Sequence, residues 1–125
     1  MKKILILIFA ICLFLNCSKD DSNNDVNIRL SNVSDSDFEN IIVNTTTGDT
    51  NYGDIKSNQV SEYKNFNKAY RYAYVELNIG EETYTIQPID YVGETPLTNG
   101  NYTYQLDLVS YEEGFLDLTI TLIEE

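Results

Sequence analysis

The sequence predicts an all-β fold, a small β-sandwich of seven or eight antiparallel strands. Short stretches in which apolar and polar residues alternate recur along the chain, and Gly, Asn, Asp and Ser separate them. No long window repeats apolar residues at the three- and four-residue spacing of a helix. Ten tyrosines also favour strands over disorder. A small open β-barrel, built from the same kind of strand, is the alternative.

The first 16 residues differ from the rest of the chain. Two lysines follow Met1, and an unbroken apolar run covers residues 4–15. A basic start before an apolar run is typical of a secretory signal, and a membrane-spanning helix needs ~20 apolar residues. The sequence therefore predicts a signal peptide over residues 1–16, with an uncleaved short anchor as the alternative. A flexible acidic tether over residues 17–25 and a single domain over residues 26–125 follow.

Residues 13–17 read Leu-Phe-Leu-Asn-Cys and resemble the lipobox of bacterial lipoproteins. The resemblance implies that the Cys17 thiol is joined to diacylglycerol, that the signal is cut before it and that the new amine is acylated. Two or more acyl chains hold a protein on a membrane firmly, whereas one gives marginal anchoring. Asn16 departs from the small residue most often found before the cysteine, as in the looser lipoboxes of Bacteroidota-type proteins.

The four residues after the cysteine are Ser18, Lys19, Asp20 and Asp21. A lysine followed by two acidic residues here resembles the export signal of Bacteroidota-type surface lipoproteins. The resemblance implies display on the outer face of the outer membrane. The alternative is a charged, solvated tether with the protein on the periplasmic face.

Charge and composition exclude several classes of function. The chain has 8 basic and 20 acidic residues, so loss of Lys2 and Lys3 with the signal leaves 6 against 20, a net charge of −14. Binding to nucleic acids or anionic lipids depends on Lys and Arg, so we expect no nucleic-acid partner and contact with the membrane through the lipid alone. There is no histidine, and Cys12 leaves with the signal. We therefore expect no disulfide within the mature domain, and no motif indicates a cofactor.

The first half of the domain contains four predicted strands. Val26, Ile28 and Leu30 alternate with polar residues in the first, and Phe38 with residues 41–43 forms the second. Weaker patterns around residues 52–55 and 60–66 indicate the third and fourth.

Two hairpins are predicted in the second half. Apolar residues alternate over residues 73–79, and Gly80-Glu81 forms a two-residue turn, so that the numbers of opposite residues sum to 161 and Leu77 faces Tyr84. Residues 102–108 and 116–122 also alternate, with residues 110–114 as the loop. Opposite residues there should sum to 224. Residues 97–102 resemble the turn and tyrosine that lead into a strand of immunoglobulin-like sandwiches, which implies that type of sandwich.

Four tyrosines are candidate ligand-binding residues. Tyr70, Tyr72 and Tyr74 alternate with the inward residues of their strand, which predicts an exposed row on the outer face. Such a row can stack on sugar rings or anchor a protein. Equally, it can stabilise the sheet through cross-strand pairs. Tyr91 lies in the long connection over residues 90–96, which is either a binding loop or a crossover that tucks under the sheet edge.

Two acidic groups are weaker candidates. Asp49, Asn51 and Asp54 surround a turn glycine as in a calcium loop, although the spacing does not match an EF-hand and a solvated turn is the alternative. The predicted register places Asp107 opposite Asp117, as in the carboxylate pair of a glycoside hydrolase. An exposed strand gives neither carboxylate the buried setting of a catalytic acid, so mild repulsion is the alternative.

We therefore expect a non-enzymatic binding or structural module, lipid-anchored in the outer membrane, with a protein or glycan as ligand. One alternative is a glycan-binding accessory protein of polysaccharide utilisation. Others are a protein inhibitor that caps its target with an edge strand and a weak hydrolase.

Overall fold

The structure is a computed structural model that describes residues 25–88, 91–112 and 114–125. The predicted signal peptide, Cys17 and residues 18–21 lie outside these ranges. Among the residues described, no helix has the length and apolar character needed to cross a membrane.

In the described residues, eight strands form two four-stranded sheets, which confirms the predicted all-β sandwich. The strands are β1 (Val26–Asn32), β2 (Phe38–Asn44), β3 (Asp49–Ile55), β4 (Lys64–Phe66), β5 (Tyr74–Ile79), β6 (Glu82–Ile86), β7 (Gly100–Glu112) and β8 (Phe115–Glu124). One sheet has the order β4-β1-β7-β8 and the other β3-β2-β5-β6. The two sheets are separate, so the fold is a sandwich and not a closed barrel.

The core lies between the sheets because alternate residues of each strand point inward. Val26, Ile28 and Leu30 of β1 are buried, and so are Val75 and Leu77 of β5. Burial of each such side chain contributes ~1.5–3 kcal/mol to the hydrophobic free energy of folding. The rest of the buried cluster comprises Phe38, Ile41, Val43, Tyr52, Ile55, Phe66, Ala69, Ala73, Tyr102, Tyr104, Leu106 and Leu118.

The β5–β6 hairpin has the predicted register, with Leu77 opposite Tyr84. The predicted register of the β7–β8 hairpin is wrong by two residues, because opposite residues sum to 226, as in the pair Leu108 and Leu118. The strands run to Glu112 and from Phe115, so the connection is shorter than predicted. A slip of two residues leaves every side chain on its predicted face, so the apolar pattern does not reveal it.

One strand pair departs from the predicted antiparallel arrangement. β1 runs parallel to β7, from Val26 beside Gly100 to Asn32 beside Leu106. At the start of β7, the Tyr102 hydroxyl donates a hydrogen bond to a carbonyl four residues upstream at 2.8 Å. That bond is typical of the tyrosine corner in immunoglobulin-like sandwiches and supports the resemblance of residues 97–102.

Candidate interaction site

The β7–β8 hairpin extends beyond the sheet to which it belongs. β1 ends at Asn32, which lies beside Leu106, but β7 continues for six more residues to Glu112. At ~3.3 Å per residue, the overhang is about 20 Å long. We call residues 107–112 of β7 and 115–119 of β8 the distal hairpin. A two-stranded ribbon is only marginally stable by itself, so a neighbouring strand would stabilise it.

A buried asparagine ends β1 and turns the chain away from β7. Asn32 is fully buried, and its side-chain amide donates to the carbonyls of Ser36 at 2.7 Å and Ile55 at 3.0 Å. Its side-chain oxygen accepts from the N–H of Ser34 at 2.9 Å and from the hydroxyl of the same residue at 2.7 Å. These four bonds hold residues 34–36 in a fixed loop beside the distal hairpin.

The departure of β1 leaves one edge of β7 uncovered. Val33 donates its N–H to the Leu106 carbonyl at 3.0 Å, just past the end of β1. The N–H and C=O of every second residue of a strand point to the same edge, so those of Leu108 point to the side that β1 has left. The Leu108 N–H instead donates to the side-chain carboxylate of Asp107 at 2.8 Å. The Asp107 carboxylate thus accepts the hydrogen bond that the carbonyl of a neighbouring strand would otherwise accept.

A cleft of about 260 Å³ lies along this uncovered edge. Its apolar lining comes from Val33, Leu108 and Leu116, and Asp35 and Asp107 border it. Small-molecule pockets usually measure ~300–1,000 Å³, so this cleft suits a side chain of a larger partner better than a free small ligand. Two serines, Ser34 and Ser36, complete the lining.

Several large apolar side chains of the distal hairpin face solvent. Phe115 is 59% exposed and Leu116 is 48% exposed, and Val109 is also exposed. Val33, across the cleft from the hairpin, is exposed as well. Val33 and Leu116 line the cleft, whereas Val109 and Phe115 lie outside its lining on the same hairpin. Single exposed apolar residues are common on soluble proteins, but several on one hairpin are typical of a protein-interaction site.

The distal hairpin lies at the end of the domain opposite the predicted tether. The first described residue, Asp25, accepts a hydrogen bond from the Gly100 N–H at 3.1 Å, and Glu125 donates its N–H to the Asn101 carbonyl at 3.1 Å. Asp25 and Glu125 therefore both lie at the start of β7. β7 runs twelve residues further to Glu112, which places the tip of the hairpin about 40 Å away at ~3.3 Å per residue.

The predicted row of exposed tyrosines is wrong for Tyr70. Tyr70 and Tyr72 precede β5, which begins at Tyr74, so the strand alternation does not apply to them. Tyr70 is 8% exposed, and its ring stacks on Tyr91 with centroids 4.4 Å apart. Tyr72 is half-buried and stacks on Tyr91 at 5.5 Å. The half-buried Tyr74 donates its hydroxyl to Glu76 at 2.8 Å, a hydrogen bond that raises the tyrosine pKa.

The long connection before β7 has one residue packed inward, as in a crossover, and one exposed, as in a binding loop. Tyr91 packs inward against the other tyrosines, and burial raises the pKa of its hydroxyl. That hydroxyl approaches the backbone of Tyr74 but makes no hydrogen bond of good geometry. Val92, the next residue, is 88% exposed. The segment is therefore packed on one side and solvated on the other.

The calcium-loop candidates lie on β3, and one oxygen of each side chain accepts a hydrogen bond within the chain. Asp49 accepts from a side-chain amide at 2.9 Å, Asn51 from the Gly53 N–H at 2.7 Å and Asp54 from a backbone N–H at 3.0 Å. In the described ranges, no three His, Cys, Asp or Glu side chains gather as a metal site would require.

The predicted carboxylate pair is wrong. Asp107 lies opposite Thr119, and Asp117 lies opposite Val109, because the hairpin register differs by two residues from the predicted one. The two carboxylates therefore do not face each other across the strands. Asp107 and Asp117 therefore do not form the carboxylate pair that a weak hydrolase would need.

Comparison with known proteins identifies a fold but no family. No family model matches the chain, and no curated protein matches it. An NMR structure of a protein from Eubacterium rectale is similar, with a TM-score of 0.57 and 17% sequence identity, over 81% of this chain and 92% of that one. At this identity the likeness shows the fold alone.

Sequence reasoning missed the distal hairpin as a site. Its apolar residues continue the alternation of the buried strands, so Leu116 looks like a core residue. One signal was present: β7 and β8 carry longer alternating patterns than β1, so part of the hairpin had to extend past its neighbour. Recognising this requires the knowledge that β1 is that neighbour.

Proposed function

We propose that the chain is a non-enzymatic binding module, anchored in the outer membrane through lipid on Cys17, that binds another protein through the distal hairpin. The observation that carries the proposal is the set of exposed apolar residues on the distal hairpin, of which Leu116 also lines the cleft, at the end opposite Asp25. A tether at one end and a binding surface about 40 Å away would present that surface away from the membrane. Interfaces commonly centre on such apolar anchors.

The test of binding is affinity capture from the native envelope with the lipidated protein. A Phe115→Ser/Leu116→Ser variant should lose the captured partner, because it removes the exposed apolar anchors. A Val92→Ser variant, which changes an exposed apolar residue near the other end, should keep it. Equal capture by both variants would contradict a role for the distal hairpin.

The anchor is tested separately by the intact mass of the protein purified from its native membrane. The proposal requires a chain that begins at Cys17 and carries acyl groups. Protease treatment of whole cells then reports the side of the membrane, since a surface-displayed domain is removed and a periplasmic one is protected. A mass without acyl groups would refute the anchor and leave the binding surface untouched.

Glycan binding is the second candidate, supported by the half-buried rings of Tyr72 and Tyr91. Aromatic rings that retain accessible surface can stack on sugars. Titration with polysaccharides should then change the tyrosine fluorescence of the domain, and Tyr72→Ala should abolish the change. A flat titration with the wild-type domain would eliminate this candidate.

A further inference from the structure

The two halves of the domain differ in charge. Residues 25–71 contain five basic and seven acidic residues, whereas residues 72–125 contain eleven acidic residues and no Lys or Arg. The second half forms β5 to β8. β7 and β8 end one sheet and β5 and β6 end the other, so the acidic half occupies one flank of the sandwich.

The uncovered edge of β7 belongs to this acidic half. Asp107 and Asp35 border its cleft, and neither carboxylate takes part in an ion pair within the described part of the chain. Glu112 and Asp117 add negative charge further along the distal hairpin. A ligand at this edge therefore meets carboxylates on several sides.

The backbone geometry indicates how a ligand would bind. The Leu108 N–H and C=O point to the vacant edge, and the Asp107 carboxylate holds that N–H in place of a strand. An added strand would supply a carbonyl to the Leu108 N–H and release the carboxylate for a cation. Strand addition to an exposed edge is a common mode of peptide recognition.

We infer that the edge of β7 beyond Asn32 accepts an extended, basic segment of another protein as an added strand. The segment places an apolar side chain in the cleft of Val33, Leu108 and Leu116, and Lys or Arg beside Asp35 and Asp107. This inference rests on the proposed function and names the partner's chemistry. A second copy of this domain fits the edge poorly, because its corresponding β7–β8 region would bring carboxylates and no cations.

The test uses synthetic nine-residue peptides and the full domain, followed by calorimetry and amide NMR. A peptide of alternating Lys and Val should bind, and it should shift and protect the Leu108 amide. A Glu-Val peptide of the same length should bind at least about tenfold more weakly, because charge now opposes association. A Lys-Val peptide with alternate backbone nitrogens methylated should also bind at least about tenfold more weakly, because it lacks donors for the strand.

A charge variant of the domain gives the matched control. Asp35→Asn/Asp107→Asn keeps the oxygen that accepts from the Leu108 N–H and removes only the charge, so it should weaken the Lys-Val peptide by about tenfold. Glu62→Gln/Glu94→Gln removes two exposed charges elsewhere and should change binding less than about twofold. Equal effects of the two variants, or equal binding of the methylated peptide, would overturn the inference.

The failure of this inference can be distinguished from that of the proposed function. If the Phe115→Ser/Leu116→Ser variant loses the envelope partner but the Lys-Val peptide does not bind, the hairpin is an interaction site and strand addition by a basic segment is wrong. If that variant keeps the partner, the proposed function itself fails.

Discussion

Two buried tyrosines use their hydroxyl groups to bond distant parts of the backbone, and one of them, Tyr52, joins the two sheets. Tyr104 donates to the Tyr70 carbonyl at 2.6 Å, and Tyr52 donates to the Ile28 carbonyl at 2.8 Å. Burial raises the pKa of both hydroxyls well above the ordinary value for tyrosine. The folded domain therefore keeps both groups protonated at a pH where the unfolded chain would ionise them.

The raised pKa values predict a loss of stability at high pH. Below pH ~10 both states are protonated and the stabilisation is fully present. Above it, only the unfolded chain releases protons, so the free energy of unfolding falls by about 1.4 kcal/mol per pH unit for each tyrosine. Urea unfolding between pH 8 and pH 11.5 measures the slope. Tyr52→Phe should reduce the slope by one such contribution.

At the scale of elements, the two hairpins show what a local pattern can predict. Gly80, with φ of 63°, fixes a two-residue turn, so the β5–β6 register followed from the turn and the alternation together. The β7–β8 turn contains Gly114, with φ of 85°. The pairing of β7 with β8 shifts register just before this turn, between Ser110 and Glu112 of β7. Alternation repeats every two residues and so could not distinguish that register from one shifted by two.

The register of the β7–β8 hairpin predicts a contrast between two leucines on the same face of β8. Leu118 is 5% exposed and lies opposite Leu108, whereas Leu116, two residues nearer the turn, is 48% exposed. Leu118→Ala should lower the free energy of unfolding by about 2–4 kcal/mol, because it leaves a cavity. Leu116→Ala should lower it by less than about 0.5 kcal/mol. Urea unfolding of the two variants measures this, and similar losses would place Leu116 in the core.

The tyrosines before β5 show that apolar alternation does not predict exposure outside a strand. Alternation predicts a face only within a strand, and β5 begins at Tyr74, four residues after Tyr70. Nothing in the local sequence marks this start, because Ala73 is apolar and continues the pattern. The burial of Tyr70 instead depends on Tyr91, which is distant in sequence and packs against its ring.

At the scale of the whole molecule, the fold could be predicted but its long-range pairing could not. The parallel pairing of β1 with β7 joins residues 74 positions apart, and no turn signal connects them. That pairing determines both ends of the domain: it places Asp25 beside Gly100 and lets β7 run past Asn32. The candidate site exists because β7 is longer than its neighbour β1. The apolar pattern of a single strand therefore cannot predict it.

The charge distribution of the molecule predicts how its stability depends on salt. Eleven carboxylates and no cations lie in residues 72–125, and β6 packs against β8 across the sandwich, so like charges of the two sheets lie on one flank. Raising NaCl from about 0.05 M to 0.5 M screens this repulsion and should increase the free energy of unfolding by about 1 kcal/mol, or Tm by about 4–8 °C. Calorimetric melting measures the change.

Two neutralising variants locate the source of that dependence. Glu82→Gln/Glu124→Gln removes charge from β6 and β8 on the acidic flank, so it should raise Tm at low salt and reduce the salt response. Glu39→Gln/Glu62→Gln removes the same charge from the half where five basic residues offset seven acidic ones, so it should alter the response less. If both variants respond alike, the net charge and not its position on one flank controls the stability. The negative potential would then not be concentrated on the acidic flank, and that flank would not favour a basic partner over other surfaces of the domain.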